Sequence, residues 1–112
     1  MVYNPHKDLK LYYSIGEVAR MFQVNESLLR YWEKEFRQIK PYKNKKGDRY
    51  FRPEDIEVIQ TIYNLTKVKG FTLQGAKDEL ARNFENAKAQ ARAVASLERI
   101  RARLIDIRQE LD

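Results

Sequence analysis

The sequence predicts a mainly α-helical protein in which several helices accompany one small β-hairpin and a long helix ends the chain. Apolar residues recur at spacings of three and four in separate stretches between residues 14 and 84, as on amphipathic helices. A polar run that contains glycine, residues 44–48, separates two short β-prone runs, which is typical of a hairpin. From residue 83 onward the chain has neither glycine nor proline, and a heptad-like apolar repeat predicts a coiled-coil helix.

The first helix is predicted from a capping box. We interpret residues 1–10, which lack periodicity, as a flexible leader, and residues 11–13 as a very short strand. Ser14 can accept a hydrogen bond from the backbone three residues on, and Glu17 can reach back to Ser14. The helix that follows ends near Phe22, and its apolar face consists of Ile15, Val18, Ala19 and Phe22.

A second helix follows after a tight connection of three residues, with Asn25 as its predicted cap. Its inward residues at helical spacing are Leu28, Leu29, Trp32 and Phe36. Its side and outward residues are Ser27, Arg30, Tyr31, Lys34 and Arg37. Two short helices in this order form a helix-turn-helix candidate, although helical hairpins that bind nothing are also common.

The positive charge of the chain is concentrated in and beside the predicted hairpin. The formal net charge is +6, and eight basic residues against two acidic residues lie between Lys34 and Arg52. Such a concentration is typical of a polyanion-binding edge, and a solvated lysine-rich loop is the alternative. A basic hairpin after a helix-turn-helix predicts a wing that follows the phosphate backbone, with Lys43, Lys45 and Lys46 as its phosphate contacts.

Two further helices are predicted after the hairpin. Pro53 opens the third helix, Gly70 stops it, and Thr72 caps the fourth. The third helix buries Ile56, Ile59, Ile62, Tyr63 and Val68, and the fourth buries Leu73, Ala76, Leu80 and Phe84. The aromatic residues assigned to the core are Phe22, Trp32, Phe36 and Phe71.

The last helix, residues 83–112, carries an a/d seam that predicts dimerisation. The seam consists of Leu97, Ile100, Leu104, Ile107 and Leu111, and Val94 joins it only if the register shifts. Exposing one large apolar side chain costs about 1.5–3 kcal/mol, so this helix needs a partner. A second copy of the chain is the predicted partner, and folding back onto its own domain is the alternative. The expected division is a leader (1–10), a DNA-binding domain (11–82) and a dimerisation helix (83–112).

The composition argues against several other classes of protein. No apolar run approaches the roughly 20 residues that span a bilayer, so we expect a cytoplasmic, nucleoid-associated protein that does not contact the membrane. The absence of cysteine excludes disulfides and thiolate sites, and His6 is the single histidine. No nucleophile–base pair or phosphate-binding glycine loop is evident, so neither an enzyme nor a cofactor is expected.

Several motifs, taken in order, resemble the MerR-like family of winged helix-turn-helix transcriptional regulators. The matching segments are residues 13–19, residues 28–33, residues 47–51 with 55–56, and residues 69–73. The resemblance implies that Arg30 and Tyr31 contact DNA from the second helix, which is the recognition helix of the family. It also implies that Arg49, beside Tyr50, contacts DNA from the wing. It also implies that Ser14 lies near phosphate and that Lys67 and Lys69 approach the backbone from a second, smaller wing.

The expected function is that of a homodimeric regulator that binds a pseudo-palindromic promoter site in double-stranded DNA. Ser27, Arg30, Tyr31 and Lys34 would read the sequence, while Arg37 and the hairpin lysines would add affinity. The resemblance implies RNA polymerase as a partner at the promoter and an antiparallel dimer helix. This chain shows neither the effector domain nor the metal-binding cysteines of sensor members, so we expect no effector sensing. The alternatives are an architectural or excisionase-like DNA-binding protein and a coiled-coil adaptor.

Overall fold

The structure of the protein, a computed structural model, describes residues 11–111, without the side chains of residues 107, 108, 110 and 111. The predicted leader (1–10) and the predicted seam side chains of Ile107 and Leu111 therefore lie outside the described residues. The elements in chain order are β1 (Tyr13–Ser14), α1 (Ile15–Phe22), α2 (Glu26–Glu35), β2 (Tyr42–Lys43), β3 (Arg49–Phe51), α3 (Pro53–Tyr63), a π-helical turn (Asn64–Val68) and α4 (Leu73–Leu111).

The helix-turn-helix begins with the predicted capping box. Glu17 N–H donates to Ser14 Oγ at 3.2 Å, and Ser14 N–H donates to Glu17 Oε1 at 3.1 Å, so two backbone donors at the start of α1 are satisfied. α1 ends at Phe22, and the φ of 54° at the C-cap residue Gln23 is left-handed and turns the chain toward α2. Asn25 occupies the N-cap of α2 as predicted, but its side chain makes no capping hydrogen bond.

The wing is one part of a three-stranded antiparallel sheet with the order β1-β3-β2. Tyr42 pairs with Tyr50 across the hairpin, and Tyr13 pairs with Phe51 on the other side of β3. The predicted strand at residues 11–13 is therefore displaced to Tyr13–Ser14, where it attaches the start of α1 to the wing. This attachment is a long-range pairing that local sequence patterns do not specify.

α3 starts at Pro53 as predicted, but two residues beyond its end were wrongly assigned to the core. Val68 is 53% exposed and Phe71 is 37% exposed. The π-helical turn at Asn64–Val68 widens the last turn of the helix, so Val68 no longer follows the buried face of α3. Gly70 then adopts a φ of 75°, and the chain reverses into α4, where Gly75 N–H donates to Thr72 Oγ1 at 3.0 Å.

α4 is interrupted by a kink at Asn83, where the backbone leaves helical geometry with φ −146° and ψ 44°. Beyond Asn83, Ala87, Ala91 and Ala95 are buried. The groove beside Ala91 and Ala95 is also lined by residues of α3, so this alanine stripe lies along that helix. The segment around Val94 therefore packs against the chain's own domain, and the small alanine side chains let the two helices approach closely.

The core lies between α1, α2, β3, α3 and the first half of α4. Its largest fully buried apolar side chains are Phe22, Phe36, Phe51, Leu29, Ile56, Ile59, Ile62, Leu65 and Leu80. The predicted fold class is confirmed: a mainly α winged helix-turn-helix with a hairpin wing and a long C-terminal helix. Within residues 11–111, none of the helices contains an apolar stretch of the length that a bilayer requires.

Candidate nucleic-acid interface

One face of α2 is polar and exposed along its whole length. Ser27, Arg30, Tyr31 and Lys34 follow the i, i+3, i+4, i+7 spacing and therefore project from the same side of the helix. All four are exposed, and Tyr31 is 47% exposed. Such a face suits the major groove, since Arg can bond guanine in a bidentate manner and Tyr can donate to phosphate.

The opposite face of α2 is held in the core. Leu29 and Trp32 are almost completely buried, and Phe36 is buried directly after the helix, where the backbone becomes extended. Burial of each large apolar side chain contributes about 1.5–3 kcal/mol, so the helix cannot rotate without exposing them. The exposed face is therefore presented in a fixed orientation.

Asn44 organises the tip of the wing. Its Oδ1 accepts hydrogen bonds from Lys46 N–H and Asp48 N–H, each at 2.9 Å, and its Nδ2 donates to Asp48 Oδ2 at 3.2 Å. Gly47 N–H donates to the Asn44 carbonyl at 3.0 Å, and the positive φ of 85° at Gly47 closes the turn. This arrangement holds Lys45 and Lys46 outward at the tip, where both are exposed.

An open groove of about 570 Å³ separates α2 from the wing. Its lining residues are Arg30, Tyr31, Glu33, Lys34, Lys43 and Arg49. Glu33 is bound from the wing on both sides, by Lys43 Nζ at 2.9 Å and by Arg49 Nε. Partial burial raises the pKa of Glu33, but the bonds and charges of Arg49 and Lys43 outweigh it and hold that pKa below its ordinary value.

A second groove adjoins the first and joins the start of α1 to the wing. Ser14, Arg30, Arg49 and Tyr50 are among its lining residues, so the structure brings four predicted site residues together there. Ser14 Oγ accepts the capping bond from Glu17, but its hydroxyl hydrogen is still available as a donor. The groove thus holds the guanidinium groups of Arg30 and Arg49, and the carboxylates of Glu26 and Asp48 also line it.

Three tyrosine rings cluster on the sheet. The ring centroids of Tyr12 and Tyr42 are 6.3 Å apart, and those of Tyr42 and Tyr50 are also 6.3 Å apart. Tyr12 and Tyr42 are largely exposed, while Tyr50 is partly covered by its neighbours. Tyr50 is the member of this cluster that also lines the second groove.

Three predicted site residues lie outside α2, the wing and the start of α1. Arg37 follows the end of α2 and lines another groove, beside Arg52 and Lys88. Lys67 and Lys69 lie at the π-helical turn, where Lys69 donates to Gln90 of α4. In the described part of the chain, no group of His, Cys, Asp or Glu side chains is placed to hold a metal ion.

Sequence reasoning missed two residues that shape the site, Glu33 and Asn44. Asn44 carried a usable signal, because Asn at the start of a polar turn often bonds the backbone that follows. Glu33 ends the matching segment 28–33, but no local pattern indicated its role, since its partners lie on two strands that follow it in the chain. A pairing of that kind depends on how the hairpin folds against α2.

Comparison with known proteins agrees with this architecture. Residues 13–83 match the model of the family described as MerR HTH family regulatory protein. No curated protein matches the chain significantly.

Three solved structures have a similar fold. A MerR-family transcriptional regulator from Bacillus cereus is 26% identical, with 89% of this chain and 79% of that chain covered and a TM-score of 0.56. A MerR-family regulator from Bacillus thuringiensis is 25% identical, with coverages of 89% and 96% and a TM-score of 0.51. HiNmlR, a MerR-family regulator that lacks the sensor domain and is bound to promoter DNA, is 18% identical, with coverages of 89% and 87% and a TM-score of 0.51. Because the family model spans well over half of its residues, the chain belongs to the MerR HTH family of regulatory proteins.

Proposed function

We propose that this chain is a homodimeric transcriptional regulator that binds a pseudo-palindromic promoter site in double-stranded DNA. Residues 11–82 form the DNA-binding head, and residues 83–112 form the dimerisation helix. The observation that carries the proposal is the exposed face of α2 beside a wing whose tip lysines project outward. Among the described residues, none forms an ion pair with Arg30, Lys34, Lys45 or Lys46, so these cations are available to phosphate and bases.

The proposed DNA contacts come from three parts of the head. Ser27, Arg30, Tyr31 and Lys34 read bases and flanking phosphates from α2. The wing and the start of α1 supply backbone contacts through Ser14, Lys43, Lys45, Lys46, Arg49 and Tyr50. Arg37, Lys67 and Lys69 add peripheral phosphate contacts, with salt-dependent affinity.

The exposed apolar residues of α4 support a dimer. Leu97, Ile100 and Leu104 are each more than half exposed and repeat at spacings of three and four. A second copy of the same helix would cover them. Promoter DNA is the proposed target because HiNmlR, which shares the fold, is bound to promoter DNA. RNA polymerase is then the expected partner at that site.

The test is selection from a random duplex pool at about 50 and 200 mM salt, followed by sequencing of the retained DNA. We expect an enriched inverted repeat. Arg30→Ala should weaken binding to this repeat by about 10- to 100-fold, because one arginine that bonds a base in a bidentate manner usually contributes that much to affinity. Arg82→Ala is the matched control, because Arg82 is exposed on α4 and pairs with Glu79.

Two other outcomes would contradict the proposal. Strong binding without an enriched sequence favours an architectural, excisionase-like protein. The absence of binding at about 50 mM salt favours an adaptor that uses its C-terminal helix to bind another protein.

A further inference from the structure

Glu33 is the single carboxylate among the residues that line the groove between α2 and the wing. Its position is unexpected on a surface for polyanions, because a carboxylate repels phosphate. Glu33 lies on α2 between two of the proposed DNA contacts, Arg30 and Lys34. A purely attractive surface would have a neutral or basic residue there.

The contacts of Glu33 join three elements. Oε1 accepts from Lys43 of β2 at 2.9 Å, and Oε2 accepts from Arg49 of β3. The Glu33 side chain is 11% exposed and that of Arg49 is 24% exposed, so water screens this pair less than an ordinary surface ion pair. Both strands of the wing are thereby tied to the recognition helix through one side chain.

The same bonds change which cations are available to DNA. A phosphate that approaches Lys43 or Arg49 has to compete with a carboxylate that is already bound to both. Lys45 and Lys46 at the tip are exposed, and no described residue forms an ion pair with either. The wing therefore holds two constrained cations at its base and two available cations at its tip.

We propose that Glu33 is a positioning residue that fixes the wing against the recognition helix and withholds Lys43 and Arg49 from nonspecific phosphate. Nonspecific affinity is lowered, while affinity for a site whose backbone fits the fixed wing is retained. This inference rests on the proposed function, since it concerns how the same surface discriminates among DNA sequences.

The first experiment compares Glu33→Gln with the wild-type chain on a random-sequence 20-base-pair duplex over a range of salt concentrations. Release of one or two cations should steepen the slope of log K against log salt by about 0.9 to 1.8. When salt is raised from about 50 to 200 mM, the binding constant of the variant should therefore fall about 3 to 12 times more than that of the wild-type chain. The ratio of affinities for the selected site and the random duplex should fall about tenfold.

A second experiment separates positioning from simple charge. Lys43→Gln should change the salt slope little in the wild-type background and reduce it by about 0.9 when Glu33 is replaced by Gln. Lys45→Gln is the matched control, since Lys45 lies in the same hairpin and no described residue forms an ion pair with it; it should reduce the slope equally in both backgrounds. If only net charge mattered, Lys43 would behave as Lys45 does.

The outcomes distinguish this inference from the proposed function. If the wild-type chain binds DNA, and a folded Glu33→Gln variant has the same salt slope and the same ratio of affinities, the role of Glu33 is overturned while the proposed function stands. Equal effects of Lys43→Gln in the two backgrounds also overturn it. If the wild-type chain binds no duplex at about 50 mM salt, the proposed function fails and this inference fails with it.

Discussion

Lys43 and Arg49 belong to the most basic stretch of the sequence, yet both are bound by Glu33. Arg30 and Lys34, on the neighbouring helix, are exposed and form no ion pair within the described residues. Four basic residues that the sequence does not distinguish therefore have two different environments in the structure. The environment of each side chain, rather than its charge alone, decides whether it is available to a ligand.

The pairing of Glu33 predicts a pH-dependent contribution to stability. Its pKa is lower in the folded chain than the unfolded value of about 4.3, so the contribution is present above about pH 4.3 and is lost as pH falls through the folded-state pKa. The difference in Tm between wild type and Glu33→Gln should be constant from about pH 7 to 5.5 and shrink below about pH 4. Thermal unfolding followed by circular dichroism measures it.

Glu85→Gln serves as the control, because the Glu85 side chain is 82% exposed and water screens its pair with Lys88 at 3.2 Å, so the pair adds little stability. A Tm difference for Glu33→Gln that persists undiminished to about pH 3 would contradict the assignment.

At the level of elements, turns and caps decide how the helices and the wing are held. Asn44 makes three side-chain hydrogen bonds within the hairpin tip, and Gln23, Gly47 and Gly70 supply left-handed backbone where the chain reverses. These residues set how α2, the wing and α4 lie relative to one another. None of them contributes a large apolar surface to the core.

Asn44→Ala should loosen the wing tip and weaken DNA binding. The lysines at the tip would have to be ordered on binding, which costs on the order of 1 kcal/mol and reduces affinity about 3- to 10-fold. Fluorescence anisotropy with the selected duplex measures the change. Asn86→Ala, at an exposed position of α4, should change affinity by less than about twofold, and equal effects of the two variants would argue against an ordered tip.

Gly70→Ala should destabilise the fold although there is space for the new methyl group. The φ of 75° at Gly70 costs an L residue about 1–2 kcal/mol, and no atom lies within 4 Å of the added Cβ. Gly16→Ala is the opposite case: its Cβ would meet Ser14 Oγ at 3.9 Å, and alanine favours the helix by about 0.5–1 kcal/mol. The free energy of unfolding, measured with urea, should therefore be higher for Gly16→Ala than for wild type and lower for Gly70→Ala. The reverse order would refute this explanation.

At the level of the whole molecule, α4 has two apolar faces, one of which is buried and the other exposed. Ala87, Ala91 and Ala95 are buried against the chain's own domain, whereas Leu97 is 65% exposed and Leu104 is 61% exposed. With about 3.6 residues per turn, the two stripes lie on roughly opposite sides of the helix. The alanine stripe orients α4, and that orientation leaves the leucine stripe exposed, where the proposed second copy would cover it.

Leu104→Glu should dissociate the proposed dimer. Each dimer would lose two buried leucines, worth about 1.5–3 kcal/mol each, so dimer affinity should fall about 100-fold or more. Sedimentation equilibrium at micromolar concentrations measures it. Ala102→Glu introduces the same charge at an exposed position about 200° around the helix and should remain dimeric. A monomeric wild-type chain, or a Leu104→Glu variant that stays dimeric, would disprove the proposed interface.

Local patterns by themselves determined most of the elements of this protein. The capping box at Ser14, the proline at the start of α3 and the apolar spacing of α2 predicted the helices, because each depends on neighbours within one or two turns. The family resemblance rests on the same local motifs. The outward face of α2 followed from its periodicity, since residues opposite a buried face are exposed.

The tertiary structure alone decided which charges pair and where each apolar stripe lies. Glu33 meets two strands that follow it in the chain, Tyr13–Ser14 pairs with a strand more than 30 residues away, and the π-helical turn exposes Val68. The alanine stripe of α4 packs along a helix that precedes it by about 30 residues. Such contacts join segments distant in sequence, and their energies depend on the approach of whole elements, which local periodicity does not specify.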